Sequence, residues 1–397
     1  MAGLRNIIVC TLFAVLCIFP ANAEISFRGA WIATVANIDW PSVEAVGNTG
    51  KQQAEMISLL DSLESLGINA VIFQVRPTAD ALYHSDLEPV SHWLTGTQGS
   101  WGEQEPWDPL EWTIEQAHAR NMEVHVWLNP YRVNLAKTDT SMISADHIWR
   151  RHPEWFWEYN KQWYFDPGLD ITREWICAIV QNLVDRYAIQ AIHMDDYFYP
   201  YPQGKMQLPD ADTFAKHPRG FSDIREWRRD NVNLAIQAIS KTIHECKPEV
   251  QFGISPFGVW RNASVDSTGS ATQAGITNYD DLYADIRLWI QNGWIDYVLP
   301  QLYWEIGKKV ADYEVLAHWW ANEVRGTKCK LYIGMAPYRL ENASPKTPWG
   351  QGNEIKRQME LNRTIPEISG ECFYSTRPLL RNPRDVCDSI RTIYNNE

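Results

Sequence analysis

Residues 189–196, with the sequence IQAIHMDD, carry the two signals that decide the fold. The first part is a short apolar run typical of a fully buried β-strand, and the last part is a pair of carboxylates. Seven further runs of the same kind lie at 27–35, 69–76, 122–129, 250–256, 295–303, 330–336 and 371–376. We therefore expect eight buried strands.

An amphipathic stretch follows each of these runs. The stretches lie at 51–66, 109–120, 173–187, 224–246, 280–292, 311–325, 353–363 and 383–394. Strict alternation of eight strands with eight helices predicts an α/β protein folded as a closed (β/α)8 TIM barrel. An open doubly wound sheet is disfavoured because no glycine-rich phosphate turn follows the first strand.

The connections between these elements differ in length on the two faces of the predicted barrel. Helix-to-strand turns such as Leu66-Gly67-Ile68 are tight. Strand-to-helix loops are long and aromatic, notably at 77–107, 130–172, 197–223 and 257–279. Barrels of this kind carry their chemistry at the carboxyl ends of the strands. We expect the active site on the long-loop face.

The amino terminus has the pattern of a targeting segment. Arg5 precedes an apolar run at 7–19, and Ala21-Asn22-Ala23 forms a small-residue cleavage site. The run is shorter than the roughly 20 residues that a membrane span requires. We expect a signal peptide at 1–23 and a single catalytic domain at 24–397. The protein would then be periplasmic or secreted, without stable membrane insertion after cleavage.

Composition excludes some partners and cofactors. The net charge of −13 argues against nucleic acid, which binds clustered basic residues. The histidines show neither His-x-His nor His-Glu-x-x-His spacing, and the cysteines show no CxxC, so we expect no metal or other cofactor. The five cysteines after position 23 allow at most two disulfides. Many of the 20 tryptophans lie in loops, where rings suit stacking on sugars.

Polar residues near the predicted strand ends follow the two-residue period of a strand. Each set shares one side and opposes apolar neighbours, so it should point into the mouth of the barrel. The sets are Gln74 and Arg76; His125, Trp127 and Asn129; His193 and Asp195; and Gln301, Tyr303 and Glu305. A hydrogen-bond network in the top layer of the barrel explains Gln74, His125 and Gln301 equally well.

Carboxylates at strand ends indicate function because a buried charge needs a partner or a purpose. Asp195 and Glu305 meet this description. Asp196 has the opposite parity to Asp195 and would orient backbone or loop groups, or it becomes the reacting group if the strand ends one residue earlier.

These residues resemble the bacterial glycosyl hydrolase-like 10 family. The motifs that carry the resemblance lie at 28–31, 74–77, 127–132, 165–168, 193–200, 254–258 and 299–304. The resemblance implies a (β/α)8 barrel in the cell envelope that acts on glycans. Members with an assigned role look like peptidoglycan glycosidases that prefer strands without stem peptides. It also implies a nucleophile at the fourth strand, Asp195 or Asp196, and less directly an acid/base at Glu305.

Glycoside hydrolysis by two carboxylates gives each candidate a role. We expect Asp195 to be the nucleophile or stabiliser and Glu305 the general acid/base. Arg76 would hold Asp195 ionised or bind a substrate carboxylate, and an apolar wall including Trp304 would raise the pKa of Glu305. The expected substrate-binding residues are Arg76, Asn129, Tyr131, His193, Tyr197, Trp260, Gln301, Tyr303, Trp304 and Tyr338.

Three rival functions fit parts of the same pattern, and one of them is a protein-binding scaffold, which composition does not exclude. A barrel that binds glycans without cleaving them would keep the aromatic cleft but lose the carboxylate pair. A metal-dependent deacetylase would need the metal-ligand spacing that the histidines lack. If the protein is a glycoside hydrolase, its expected partner is a polysaccharide, either peptidoglycan or a related polymer.

Overall fold

The computed structural model describes residues 25–103, 105–135 and 139–395. Eight parallel strands close into a barrel, which confirms the predicted (β/α)8 fold. The strands of the barrel are β1 (Phe27–Ile32), β2 (Ala70–Arg76), β3 (Glu123–Leu128), β6 (Ala191–Met194), β7 (Gln251–Ile254), β8 (Tyr297–Val298), β9 (Lys330–Met335) and β10 (Ile368–Phe373). A separate antiparallel hairpin consists of β4 (Phe156–Tyr159) and β5 (Gln162–Phe165). The predicted signal peptide lies outside the described residues.

Helices surround the barrel on its outer side. Those that match the predicted stretches are α1 (Thr49–Glu64), α3 (Pro109–His118), α5 (Asp170–Arg186), α7 (Ile224–Cys246), α9 (Ile286–Gln291), α10 (Tyr313–Val324), α11 (Glu354–Asn362) and α13 (Val386–Tyr394). Short helices in the loops are α2 (His92–Thr95), α4 (Ile148–Arg151), α6 (Ala211–Lys216), α8 (Asn278–Asp281) and α12 (Thr376–Leu380).

The last barrel strand differs from its predicted position. Strand β10 begins at Ile368, three residues before the predicted start at 371, because Gly370 belongs to the strand rather than to a turn. A Cβ atom at Gly370 would lie 2.4 Å from the ring of Tyr332. The glycine is therefore needed for close packing inside the barrel.

Two apolar cores lie on either side of the barrel wall. The outer core joins the strands to the helices, and the inner one is filled by large rings such as Phe27, Trp31 and Tyr297. A Cβ atom at Gly253 would lie 1.8 Å from the ring of Tyr297, so this glycine makes room for the ring. The barrel interior is thus packed, and a ligand can enter only at its mouth.

None of the helices in residues 25–103, 105–135 and 139–395 is long and apolar enough to cross a membrane. The five cysteines there (Cys177, Cys246, Cys329, Cys372 and Cys387) are all unpaired.

Candidate active site

A cavity of about 190 Å³ lies at the carboxyl ends of the barrel strands. Its walls are Trp31, Trp127, Asp195, Asp196, Tyr197, Ser255, Gln301, Tyr303 and Tyr374. A larger cavity of about 480 Å³ lies beside the loop from Tyr83 to Val90 and is lined by neither Asp195 nor Asp196. Two carboxylates among aromatic rings make the smaller cavity the candidate active site.

Asp195 follows strand β6 and is held by three hydrogen-bond donors. Its Oδ2 accepts from Asn129 Nδ2 at 2.7 Å and from Trp127 Nε1 at 3.2 Å. Its Oδ1 accepts from the backbone N–H of Tyr197 at 3.3 Å. These donors fix the orientation of the carboxyl group within the cavity.

Burial nevertheless dominates the electrostatics of Asp195. It raises the pKa of the carboxyl to about 7, and the neighbouring charge of Asp196 adds to the increase. Arg132 and the hydrogen bond from Asn129 act in the opposite direction. Asp195 is therefore able to keep a proton near neutral pH, as a general acid must.

Asp196 lies in the same cavity with different partners. It accepts a hydrogen bond from the hydroxyl of Tyr201 and interacts with the side chain of Gln301. Burial raises the pKa of its carboxyl, and both of these partners lower it. The two aspartates are close enough to affect each other's ionisation, which places a proton donor and a carboxylate in one site.

Arg132 is the positively charged residue that acts on the Asp195-Asp196 pair. Its guanidinium lies 5.3 Å from the ring centre of Tyr197 and donates to the carbonyl of Pro77 and to Asn129 Oδ1. It lowers the pKa of both aspartates. The expectation that Arg76 performs this role was wrong.

The bulge in strand β2 explains the position of Arg76. The pairing with β3 shifts between Gln74 and Arg76, so Arg76 lies opposite Leu128. Its side chain therefore no longer points to the same side of the strand as that of Gln74. Its guanidinium forms two 2.6 Å hydrogen bonds with the buried carboxylate of Glu88. Arg76 therefore binds Glu88 rather than the cavity, and a single-strand parity argument could not reveal the shift.

The structure also places Glu305 outside the cavity. The strand pairing of β8 ends at Val298, and Glu305 lies in a turn where its carboxylate accepts from Lys308 Nζ at 3.0 Å and from Trp349 Nε1 at 2.9 Å. Although burial raises it, these partners leave the pKa of Glu305 below its usual value. The expected increase of its pKa was wrong.

Two predicted stacking residues are buried elsewhere. Tyr131 is 1% exposed beneath the loop that carries strand β5. Trp260 stacks at 6.0 Å on Trp319 and donates to Asp285, on the outer side of the barrel. Both were predicted from loop position, but aromatic side chains in a long loop also form the core that holds the loop.

Other predicted binding residues lie in or around the cavity. Tyr197, Gln301 and Tyr303 line it directly. Asn129 holds Asp195, and His193 hydrogen-bonds Ser255 beneath the wall. The remaining two, Trp304 and Tyr338, make edge contacts with Phe257 at 5.4 Å and with Tyr303 at 6.1 Å.

Four lining residues were not among the predicted site residues. They are Trp31, Trp127, Ser255 and Tyr374. Trp127 shares the inward parity of His125 and Asn129, so this signal was available in the sequence. Tyr374 follows β10, whose register becomes known only from the pairing with β9.

Metal-ligating side chains do not cluster in this site. Within the part of the chain that the structure describes, no group of three or more His, Cys, Asp or Glu residues could hold a metal ion.

Known proteins resemble this chain in both sequence and fold. The glycosyl hydrolase-like 10 family matches residues 26–350. The chain is 47% identical over 378 residues to glycosyl hydrolase YngK of Bacillus subtilis, which covers 94% of this chain and 73% of that protein. It is 40% identical over 376 residues to glycosyl hydrolase DigH of Escherichia coli K12, covering 89% and 84%.

Solved structures share the architecture at low identity. The PgaB (BpsB) glycoside hydrolase domain from Bordetella bronchiseptica has a TM-score of 0.56 and 10% identity, covering 94% of this chain and 98% of that one. The β-amylase catalytic domain from Paenibacillus polymyxa has a TM-score of 0.57 and 10% identity, covering 93% and 98%. At this identity the two structures support the fold alone.

Proposed function

Because the chain belongs to the glycosyl hydrolase-like 10 family, we propose that it hydrolyses O-glycosidic bonds in a cell-envelope glycan, namely the glycan strands of peptidoglycan. The observation that carries the proposal is the pair Asp195 and Asp196 in one aromatic cavity at the barrel mouth. The targeting pattern at 1–23 supports an exported protein that meets such a polymer.

The two carboxylates take different roles in this proposal. Asp195 keeps its proton because it is buried beside a second acid, and it protonates the leaving glycosidic oxygen. Asp196, whose charge Tyr201 and Gln301 stabilise, attacks or stabilises the anomeric carbon, or activates the water that attacks it. Glu305 is replaced as the acid because its carboxylate is bound to Lys308 and Trp349 outside the cavity.

The cavity walls suit a sugar ring. Trp31, Trp127 and Tyr374 offer apolar faces, and Gln301 and the carboxylates offer hydrogen bonds to hydroxyl groups. Sugars combine apolar C–H faces with hydroxyl edges, so rings and polar groups in one cavity match both. These features support a glycan rather than a charged polymer.

Product analysis tests the proposal. The purified protein is incubated with intact peptidoglycan strands and with strands stripped of peptide by an amidase, each with and without a chelator. The masses of the products are then measured by mass spectrometry. We expect cleavage of stripped strands that the chelator does not affect. Binding without any product would support the non-catalytic barrel, and loss of activity with the chelator would support a metal enzyme.

The roles of the two aspartates are separated by the leaving group. Asp195→Asn should lose hydrolysis of natural strands but retain much of the activity on an activated aryl glycoside, which needs no protonation. Asp196→Asn should lose both activities. The reverse pattern would exchange the two roles.

A further inference from the structure

A continuous chain of hydrogen bonds runs through the inside of the barrel. It begins at Ser255 Oγ, which lines the cavity and lies 2.9 Å from His193 Nε2. His193 Nδ1 and His125 Nδ1 each lie 2.9 Å from the hydroxyl oxygen of Tyr297. His125 Nε2 ends the chain 3.2 Å from Glu123 Oε2. Neither Asp195 nor Asp196 belongs to this chain.

The two ends of the chain lie on opposite faces of the barrel. Ser255 follows the carboxyl end of β7, whereas Glu123 is the first residue of β3 and its side chain is half exposed. The three residues between them are fully buried. A buried polar group needs its hydrogen bonds satisfied, so the direction of each bond is constrained by its neighbours.

The direction is set at the Glu123 end. The hydrogen bond from His125 keeps the pKa of Glu123 below its usual value, so the carboxylate only accepts. His125 must therefore donate from Nε2, and in its neutral form Nδ1 accepts. The only donor that faces Nδ1 among the described residues is the Tyr297 hydroxyl.

The same reasoning continues to the cavity. The single hydroxyl proton of Tyr297 is used on His125, so the Tyr297 oxygen accepts from His193 Nδ1. Burial lowers the pKa of His193 well below its usual value, and the ring is neutral. His193 Nε2 is then an acceptor, and its donor is the hydroxyl of Ser255. With both rings neutral, the two histidines are opposite tautomers.

We propose that Ser255 is a specificity residue that can only accept hydrogen bonds in the cavity, and that Glu123 imposes this polarity from the opposite face of the barrel. Its hydroxyl proton is already donated to His193, so it selects a substrate group that donates: a sugar hydroxyl or an amide N–H. The inference about the ligand rests on the proposed glycoside hydrolase function. The polarity of the chain does not.

Nitrogen NMR of the wild-type protein labelled at its histidine side chains tests the polarity without any turnover. We expect His193 to carry its proton on Nδ1 and His125 to carry it on Nε2. The same tautomer at both rings, a reversed pair, or a charged His125 would overturn the proposal. A failure here leaves the proposed hydrolase function intact.

Glu123→Lys tests whether Glu123 controls the polarity of the chain from the opposite face of the barrel. An ammonium group donates to His125 Nε2, which reverses every bond in the chain and makes Ser255 a donor. We expect both histidines to exchange tautomers and kcat/KM on stripped strands to fall at least about tenfold, with Tm unchanged. Tautomers unchanged in a folded variant would refute the control by Glu123.

Two further variants complete the test. Glu249→Lys makes the same charge change at an exposed site before β7, on the same face, and should leave tautomers and kcat/KM unchanged. Ser255→Ala removes one acceptor and should lower kcat/KM about three- to tenfold. An unaltered kcat/KM in Ser255→Ala would refute the role of Ser255 in binding. The histidine tautomers would still test the polarity of the chain.

Discussion

Replacing Asp195 by asparagine should abolish turnover of natural glycan and at the same time stabilise the protein at alkaline pH. The side chain keeps its size, and its oxygen can still accept from Asn129 and Trp127 at the position of Oδ2. The amide nitrogen replaces Oδ1 and loses the hydrogen bond from the backbone N–H of Tyr197. The main change is therefore the removal of a buried charge.

The size of the effect follows from the pKa. In the folded protein the pKa of Asp195 is about 7, whereas an unfolded aspartate titrates near about 3.9. Between these values the folded state holds a proton that the unfolded state has lost, so stability falls as pH rises through this window. A difference of about three pKa units corresponds to at most about 4 kcal/mol. The lost hydrogen bond offsets about 1 kcal/mol of it.

Calorimetric unfolding at two pH values measures this effect. At pH 8 we expect Asp195→Asn to raise the free energy of unfolding by about 2–3 kcal/mol, or Tm by about 3 °C for a chain of this length. At pH 5 the folded carboxyl is still protonated while most of the unfolded aspartate has lost its proton, so about 1.5 kcal/mol of the effect remains. The lost hydrogen bond offsets about 1 kcal/mol of it, so Tm should change by less than about 1 °C. Turnover of stripped strands should be lost at both pH values.

Asp80→Asn is the matched control. Asp80 is fully buried outside the cavity, and although burial raises its pKa, His92 at 3.6 Å and the hydrogen bond from Gln98 outweigh burial and lower it. Its charge is therefore stabilising above the unfolded pKa, and Asp80→Asn should lower Tm at both pH 5 and pH 8. If Asp195→Asn also lowers Tm at pH 8, or keeps more than about a tenth of the turnover, the reasoning fails.

Three further predictions concern neighbours of the pair and the corrected residues. Tyr201→Phe removes the donor that lowers the pKa of Asp196, so the acidic limb of the kcat/KM profile should move to higher pH and the rate at pH 7 should fall about tenfold; an unmoved limb would contradict it. Glu305→Gln should retain activity on natural strands within about threefold, whereas a large loss there with an aryl glycoside spared would restore it as the acid. Arg76→Met leaves Glu88 buried without its partner and should destabilise the fold by about 3–5 kcal/mol in urea unfolding, while a neutral result would mean that water or another cation replaces it.

Strand order and parity could be predicted because they depend on local patterns. Each strand between two apolar layers must alternate its side chains, so Trp127, Asn129, His193 and Asp195 were correctly assigned to the inside of the barrel. The same period failed for Arg76 because one bulge moved it to the other side of the sheet. A bulge depends on the pairing between two strands, which a single strand does not reveal.

The sequence by itself determined the barrel, the face that carries the candidate site and the adjacency of Asp195 and Asp196, since apolar periodicity and loop length are properties of the chain. Only the tertiary structure decided which polar groups meet. In the folded chain Arg76 pairs with Glu88, and Glu305 lies outside the cavity. Three buried residues connect Ser255 to Glu123. The physical reason is that hydrogen bonds and charges act over a few ångströms, between residues that chain folding brings together from distant positions.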